Sequence, residues 1–110
     1  MFYIEKGGVP VPVDDPVEAM RDSAPHAVAK TDLGHVFVST VFIGIDHNFG
    51  DYGPPILYET MVFPGKDGRV TDYIDLDCSR YATREAAKAG HEEMCATWRD
   101  RPVPTPEEEE

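Results

Sequence analysis

Between residues 36 and 45 the usual alternation of apolar and polar positions gives way to a strand that is apolar on both faces. Val36, Val38, Thr40 and Phe42 lie on one side, and Phe37, Val41, Ile43 and Ile45 on the other. Such a strand is central to its sheet, and is either covered on both sides or covered on one and met by a partner on the other. Residues 56–63 repeat the pattern, with Glu59 the one charge in the run. Around these two runs the weaker signals fall into order. Residues 2–4 read as a short strand, Gly7-Gly8 as a turn, and residues 9–13 as a returning edge strand, because Pro10 and Pro12 cannot donate to a ladder. Residues 26–30 form a strand, 31–34 a turn and 35–45 the next strand, which together make a hairpin. Residues 64–68 are a loop, 70–76 alternate partly as a further strand, and 78–82 extend the sheet.

Helical signals occur twice. Asp15 is suited to an N-cap, Pro16 to the first helical position and Glu18 to a capping box, so a short helix starts there and ends before Pro25. The stronger helix runs from Arg84 to Arg99 with Thr83 as its N-cap. Ala87, Gly90 or His91, Met94 and Trp98 recur on one face with Cys95 beside them. A glycine in mid-helix costs about 1 kcal/mol relative to alanine, so Gly90 implies close approach by a strand, at Thr40 or Gly44. The predicted fold is α+β: an antiparallel sheet of four to five strands, one main C-terminal helix packed on a face, and a short N-terminal helix.

Composition narrows the classes of function. The chain has 110 residues and is 41% hydrophobic, enough for one domain with a real core. Its net charge of −11 repels phosphate backbones, which argues against direct nucleic-acid or anionic-membrane binding. Glu107 to Glu110 follow a proline-punctuated segment, Pro102-Val103-Pro104-Thr105-Pro106, so residues 102–110 read as a disordered acidic tail after a single domain of residues 1–101. Removing those four charges from −11 leaves −7 on the body. No apolar run is long enough for a membrane span and no secretory signal is visible, so the chain is expected to stay in the compartment where it is made. Cys78 and Cys95 make neither a disulfide framework nor a zinc signature, and both are expected as reduced thiols.

Candidate chemistry centres on the loop after the first apolar run, where Asp46, His47 and Asn48 follow one another. An aspartate can orient a histidine for general-base work, but neighbours at a strand end point apart. The loop reads alternatively as a ligand-binding turn, or as a polar turn whose Asp and Asn satisfy their own backbone. Glu59 would be a buried acid or the partner of Lys30 or Arg80. His91 would be a core histidine satisfied by a backbone carbonyl, or a wall of the same site. Nothing in the spacing calls for a metal, and no cofactor is expected. Phosphate-binding, nucleophile-elbow and zinc-protease motifs are all missing from the sequence.

Residues 38–50, Gly53-Pro54-Pro55, residues 58–63, Arg80-Tyr81-Ala82-Thr83 and Ala89-Gly90-His91 together resemble a group of short proteins encoded in phage and prophage genomes, often of actinobacteria. The resemblance spans roughly residues 26–95 and implies an accessory phage product acting in bacterial cytoplasm; it carries no activity with it. The expected function is a non-enzymatic protein that binds and inhibits a host defence protein or sequesters a small signalling molecule. Its ligand-binding residues would be Asp46, His47, Asn48, Glu59 and His91. The alternative is a small hydrolase or nucleotide-processing enzyme using Asp46, His47 and Glu59. A third reading is a homodimeric structural module that pairs edge strands.

Overall fold

The computed structural model describes residues 2–15, 17, 26–44 and 54–104. Strands β1 (Phe2–Lys6) and β2 (Val9–Val13) form an antiparallel hairpin in which Phe2 pairs with Val13 and Lys6 with Val9. Gly7 and Gly8 take φ of 58° and 82° at its turn, a region that only glycine enters without steric cost. The expected N-terminal helix lies outside the described residues except at its start, where Asp15 Oδ1 accepts the Val17 N–H at 2.9 Å.

The main sheet is antiparallel, as expected. It comprises β3 (His26–Asp32), β4 (Val36–Phe42), β5 (Tyr58–Lys66), β6 (Arg69–Val70) and β7 (Asp77–Tyr81). β4 and β5 are its centre: β4 pairs β3 on one side and β5 on the other, with Thr40 opposite Thr60 and Val38 opposite Val62. The Asp32 side chain accepts the Gly34 N–H at 2.8 Å and closes the β3–β4 turn, a local device that lets a short loop replace ladder bonds.

One expected strand is not formed. Residues 70–76 do not run as a strand; only Arg69 and Val70 pair, and the chain then leaves the ladder until Asp77. β6 and β7 occupy the same edge of β5, with Val70 opposite Gly65 and Asp77 opposite Val62. Residues 71–76 therefore stand opposite Phe63 and Pro64 alone and must loop outward. The cause lies on the neighbouring strand: Pro64 has no N–H to give this edge, and its carbonyl accepts from Thr71 N–H at 2.9 Å. Asp72 Oδ1 takes the Ile74 N–H at 3.0 Å and turns the loop back on itself.

Helix α1 (Arg84–Arg99) crosses one face of the sheet. Thr83 caps it as expected, its Oγ1 accepting the Ala86 N–H at 3.1 Å. At the other end His35 Nε2 meets the carbonyls of Trp98 and Arg101 at 2.9 and 2.8 Å, and the Arg101 guanidinium stacks 4.5 Å from the Trp98 ring. The face under the helix holds two apolar clusters. Val36, Val38, Val62, Met94, Cys95 and Trp98 form one; Phe42, Leu57, Tyr58 and Ala87 form the other, with Tyr3, Val28 and Tyr81 at its margin. Val103 packs against the first, so the packed chain continues past Arg101 into the segment expected to be tail; residues 105–110 lie outside the description. No described helix is long and apolar enough to cross a membrane.

Gly90 is packed closely, although by a different neighbour from the one expected. A Cβ built on Gly90 would collide with the Tyr81 ring, so β7 sets its side chain against the helix backbone there, in place of Thr40 or Gly44.

Candidate functional site

Asp46, His47 and Asn48 lie outside the described residues. Glu59 and His91 are described, and the sheet separates them. Glu59 stands opposite Val41 on the face away from the helix, whereas His91 lies beneath the helix against Thr40.

His91 is 1% exposed and is the centre of a polar belt between the two apolar clusters. Its Nδ1 lies 2.7 Å from Thr40 Oγ1 and its Nε2 lies 2.8 Å from Thr31 Oγ1. Thr40 in turn shares a hydrogen bond with Thr60 across the β4–β5 pair. The partners of His91 are hydroxyls of two strands, with a third strand joined through Thr60, in place of the single backbone carbonyl expected. A neutral imidazole offers one donor and one acceptor, and a hydroxyl can play either part, so the belt satisfies itself in whichever tautomer forms. Burial lowers the His91 pKa below its ordinary value, partly opposed by the Glu92 carboxylate, and so favours that neutral form. Buried polar groups cost little once every member is bonded. With the ring 1% exposed and each of its nitrogens within bonding distance of a strand hydroxyl, this belt locks α1 to the sheet.

A second polar cluster joins the hairpin to the rest. Glu5 Oε2 accepts from the Tyr58 hydroxyl at 2.6 Å, and Glu5 Oε1 accepts from Arg84 Nη1 at 2.7 Å. Burial raises the Tyr58 hydroxyl well above its ordinary pKa, and the Glu5 carboxylate adds to this. Together with Tyr3 N–H donating to Gly44 O at 2.8 Å, this ties β1 to the sheet.

The opposite face is exposed to solvent in part. Phe37, Ser39, Val41, Glu59, Met61 and Phe63 are half-buried there, and no described helix lies over them. Glu59 Oε2 accepts from Arg80 Nε at 2.8 Å across the β5–β7 pair, the arginine pairing expected for it. Cys78 stands opposite Met61 on this face; burial pushes its thiol pKa up, and Glu59 pushes it further, which blunts its reactivity. The outward loop at residues 71–76 sets the Tyr73 ring edge-on to Phe63, centroids 6.0 Å apart, while Tyr73 stays 81% exposed and Ile74 74% exposed. Beside them lies a cleft of about 290 Å³ whose walls include Lys30, Phe37, Ser39, Phe63, Val70 and Tyr73.

Sequence reasoning singled out Glu59 and His91, named Lys30 only as a candidate partner of Glu59 and Thr40 only as a neighbour of Gly90, and passed over Thr31, Thr60 and Glu5. A usable signal existed for Thr40 and Thr60, which are hydroxyls on otherwise apolar alternating faces. None existed for Glu5, whose partners come from remote parts of the chain. Among the described residues no three His, Cys, Asp or Glu side chains are placed to share a metal ion. Comparison with family models, with curated proteins and with solved structures gives no match.

Proposed function

We propose that this chain is a non-enzymatic binding protein that docks on and inhibits a host protein, as a phage accessory product would, through the open face of its sheet. One observation carries the reading: an apolar, half-buried surface of Phe37, Val41, Met61 and Phe63 that continues into the projecting Tyr73–Ile74 pair. Aromatic residues standing clear of a rigid sheet are the side chains that anchor protein interfaces. Asp72 and Asp75 bracket that pair within a chain of net charge −11, so the partner presents an apolar patch flanked by lysine or arginine. Glu59, the acid an enzyme would need here, spends one carboxylate oxygen on Arg80, which suits a binding surface better than proton transfer.

The test begins with the tagged chain purified gently from bacterial lysate and ends with affinity for the purified host protein it retains. Replacing Tyr73 and Ile74 together by alanine leaves the core untouched and is expected to weaken that affinity about tenfold or more. Val9→Ala, at another exposed apolar position on the hairpin, is the control and is expected to bind as the parent does. Equal binding by all three proteins, or no stoichiometric host protein retained, overturns the proposal.

A further inference from the structure

We infer that the cleft beside Tyr73 is a binding site for a small planar aromatic monoanion, a ligand class that the protein-docking reading neither requires nor supplies. Three rings define the cleft and at least one is fixed. The Phe37 ring lies so close over Gly65 that a Cβ there would come within 2.6 Å of it, so this wall is held against the β5 backbone and is formed before any ligand arrives. Phe63 and Tyr73 meet edge to face, leaving ring faces and edges for a third aromatic group to stack against. A volume of about 290 Å³ is at the lower end for ligand pockets and suits one ring or two fused rings.

Charge selects further. Lys30 is exposed at the rim, on β3, and stands opposite Ser39 in the β3–β4 register. No carboxylate among the described residues pairs with Lys30, and none of those residues hydrogen-bonds the Ser39 hydroxyl. A cation and a free hydroxyl on neighbouring strands thus face the same apolar cleft, in a chain whose other charges are mostly negative. That surround repels polyanions such as nucleotides, while a single carboxylate set against Lys30 and Ser39 is compensated locally. Tyr73, on the outward loop, lines the cleft as well.

The site is tested by titrating isotope-labelled protein with indole-3-acetate and, separately, with its neutral counterpart indole-3-acetamide, following backbone amide shifts. The expected result is shifts concentrated at Lys30, Phe37, Ser39, Phe63, Val70 and Tyr73, with the carboxylate bound about tenfold more tightly than the amide. Lys30→Gln is expected to abolish that preference without changing the amide's affinity, and Tyr73→Ala to weaken both. Lys30 and Tyr73 are exposed, so both variants keep the fold, which the dispersion of the same spectra verifies. Equal affinity of the two probes for the parent protein, shifts centred elsewhere, or no shifts at millimolar probe overturns the inference. Because host-protein affinity is not read here, these outcomes leave the docking proposal to its own test.

Discussion

The two faces of the sheet use similar residues to different ends. Under α1, Val36, Val38 and Val62 are fully buried, and the polar side chains among them, Thr31, Thr40, Thr60 and His91, bond to one another. On the far face, Phe37, Val41, Met61 and Phe63 are no less apolar but keep contact with water, and among the described residues no side chain bonds their polar neighbours Lys30 and Ser39. A helix makes the difference. Where α1 lies, each polar group has to find a protein partner, because water cannot reach it. Where no described helix lies, the same alternation leaves a surface that can recruit a partner or a ligand. Hydrophobicity alone therefore does not say which face is structural; the state of the polar groups beside it does.

The comparison can be broken most forcefully at Trp98, which is buried and donates Nε1–H to Asp77 Oδ2 at 3.0 Å. Trp98→Ala is expected to cost about 3–5 kcal/mol in urea-induced unfolding, enough to unfold much of the population. His91→Leu comes next. It takes away the His91 partner of the Thr31 hydroxyl and leaves Thr40 with Thr60 alone, at about 1–3 kcal/mol for a group left unpaired. It also changes the pH dependence. With its folded pKa below the ordinary 6.5, His91 contributes stability that is complete above pH 6.5. That contribution is lost as pH falls towards the folded value, because the unfolded chain then binds a proton the folded chain refuses, at a slope of up to about 1.4 kcal/mol per pH unit. The parent's urea midpoint should fall between pH 7 and 5 more steeply than that of His91→Leu; parallel profiles would show that His91 is not held neutral.

Gly90→Ala probes the tight seam between α1 and β7. Helix propensity favours alanine by about 1 kcal/mol, whereas the clash with Tyr81 costs about 1–3 kcal/mol, so net destabilisation is expected. Truncating Tyr81 as well should turn the glycine replacement into a gain, and a double-mutant cycle measures that coupling. On the open face Met61→Ser should change stability by only about 1 kcal/mol or less, and a larger loss would mean that this face is covered in solution. The smallest effect concerns the two thiols. Cys78 is exposed with a raised pKa and Cys95 is buried, so native protein at neutral pH should be alkylated slowly at Cys78 and not at Cys95, as mass spectrometry of labelled peptides would report.

Local chemistry explains which parts were legible beforehand. Thr83 and the helical spacing of Ala87, Met94 and Trp98 specify α1 from within one segment, and β4 and the first half of β5 announce themselves by runs of β-forming residues broken only by Ser39 and Glu59. Residues 70–76 misled because their partial alternation looks like a strand, whereas the deciding feature, the missing N–H of Pro64, lies on a different strand. Among the site residues, the Glu59–Arg80 pair was accessible because both sit in strand-like runs. That Glu59 and His91 face opposite sides of the sheet was not, since helix phase relative to sheet face has no local signature.

By itself the sequence determined the fold class, the order of the main strands, the C-terminal helix with its cap, and the acidic character of the whole, because each of these follows from short-range periodicity or from a sum over residues. Tertiary structure alone decided which face α1 covers, that Thr31, Thr40, Thr60 and His91 meet, that Glu5 joins Tyr58 and Arg84, and that Lys30 and Tyr73 border one cleft. Those contacts join residues tens of positions apart, and only the pairing register and the phase of the helix bring them within bonding distance.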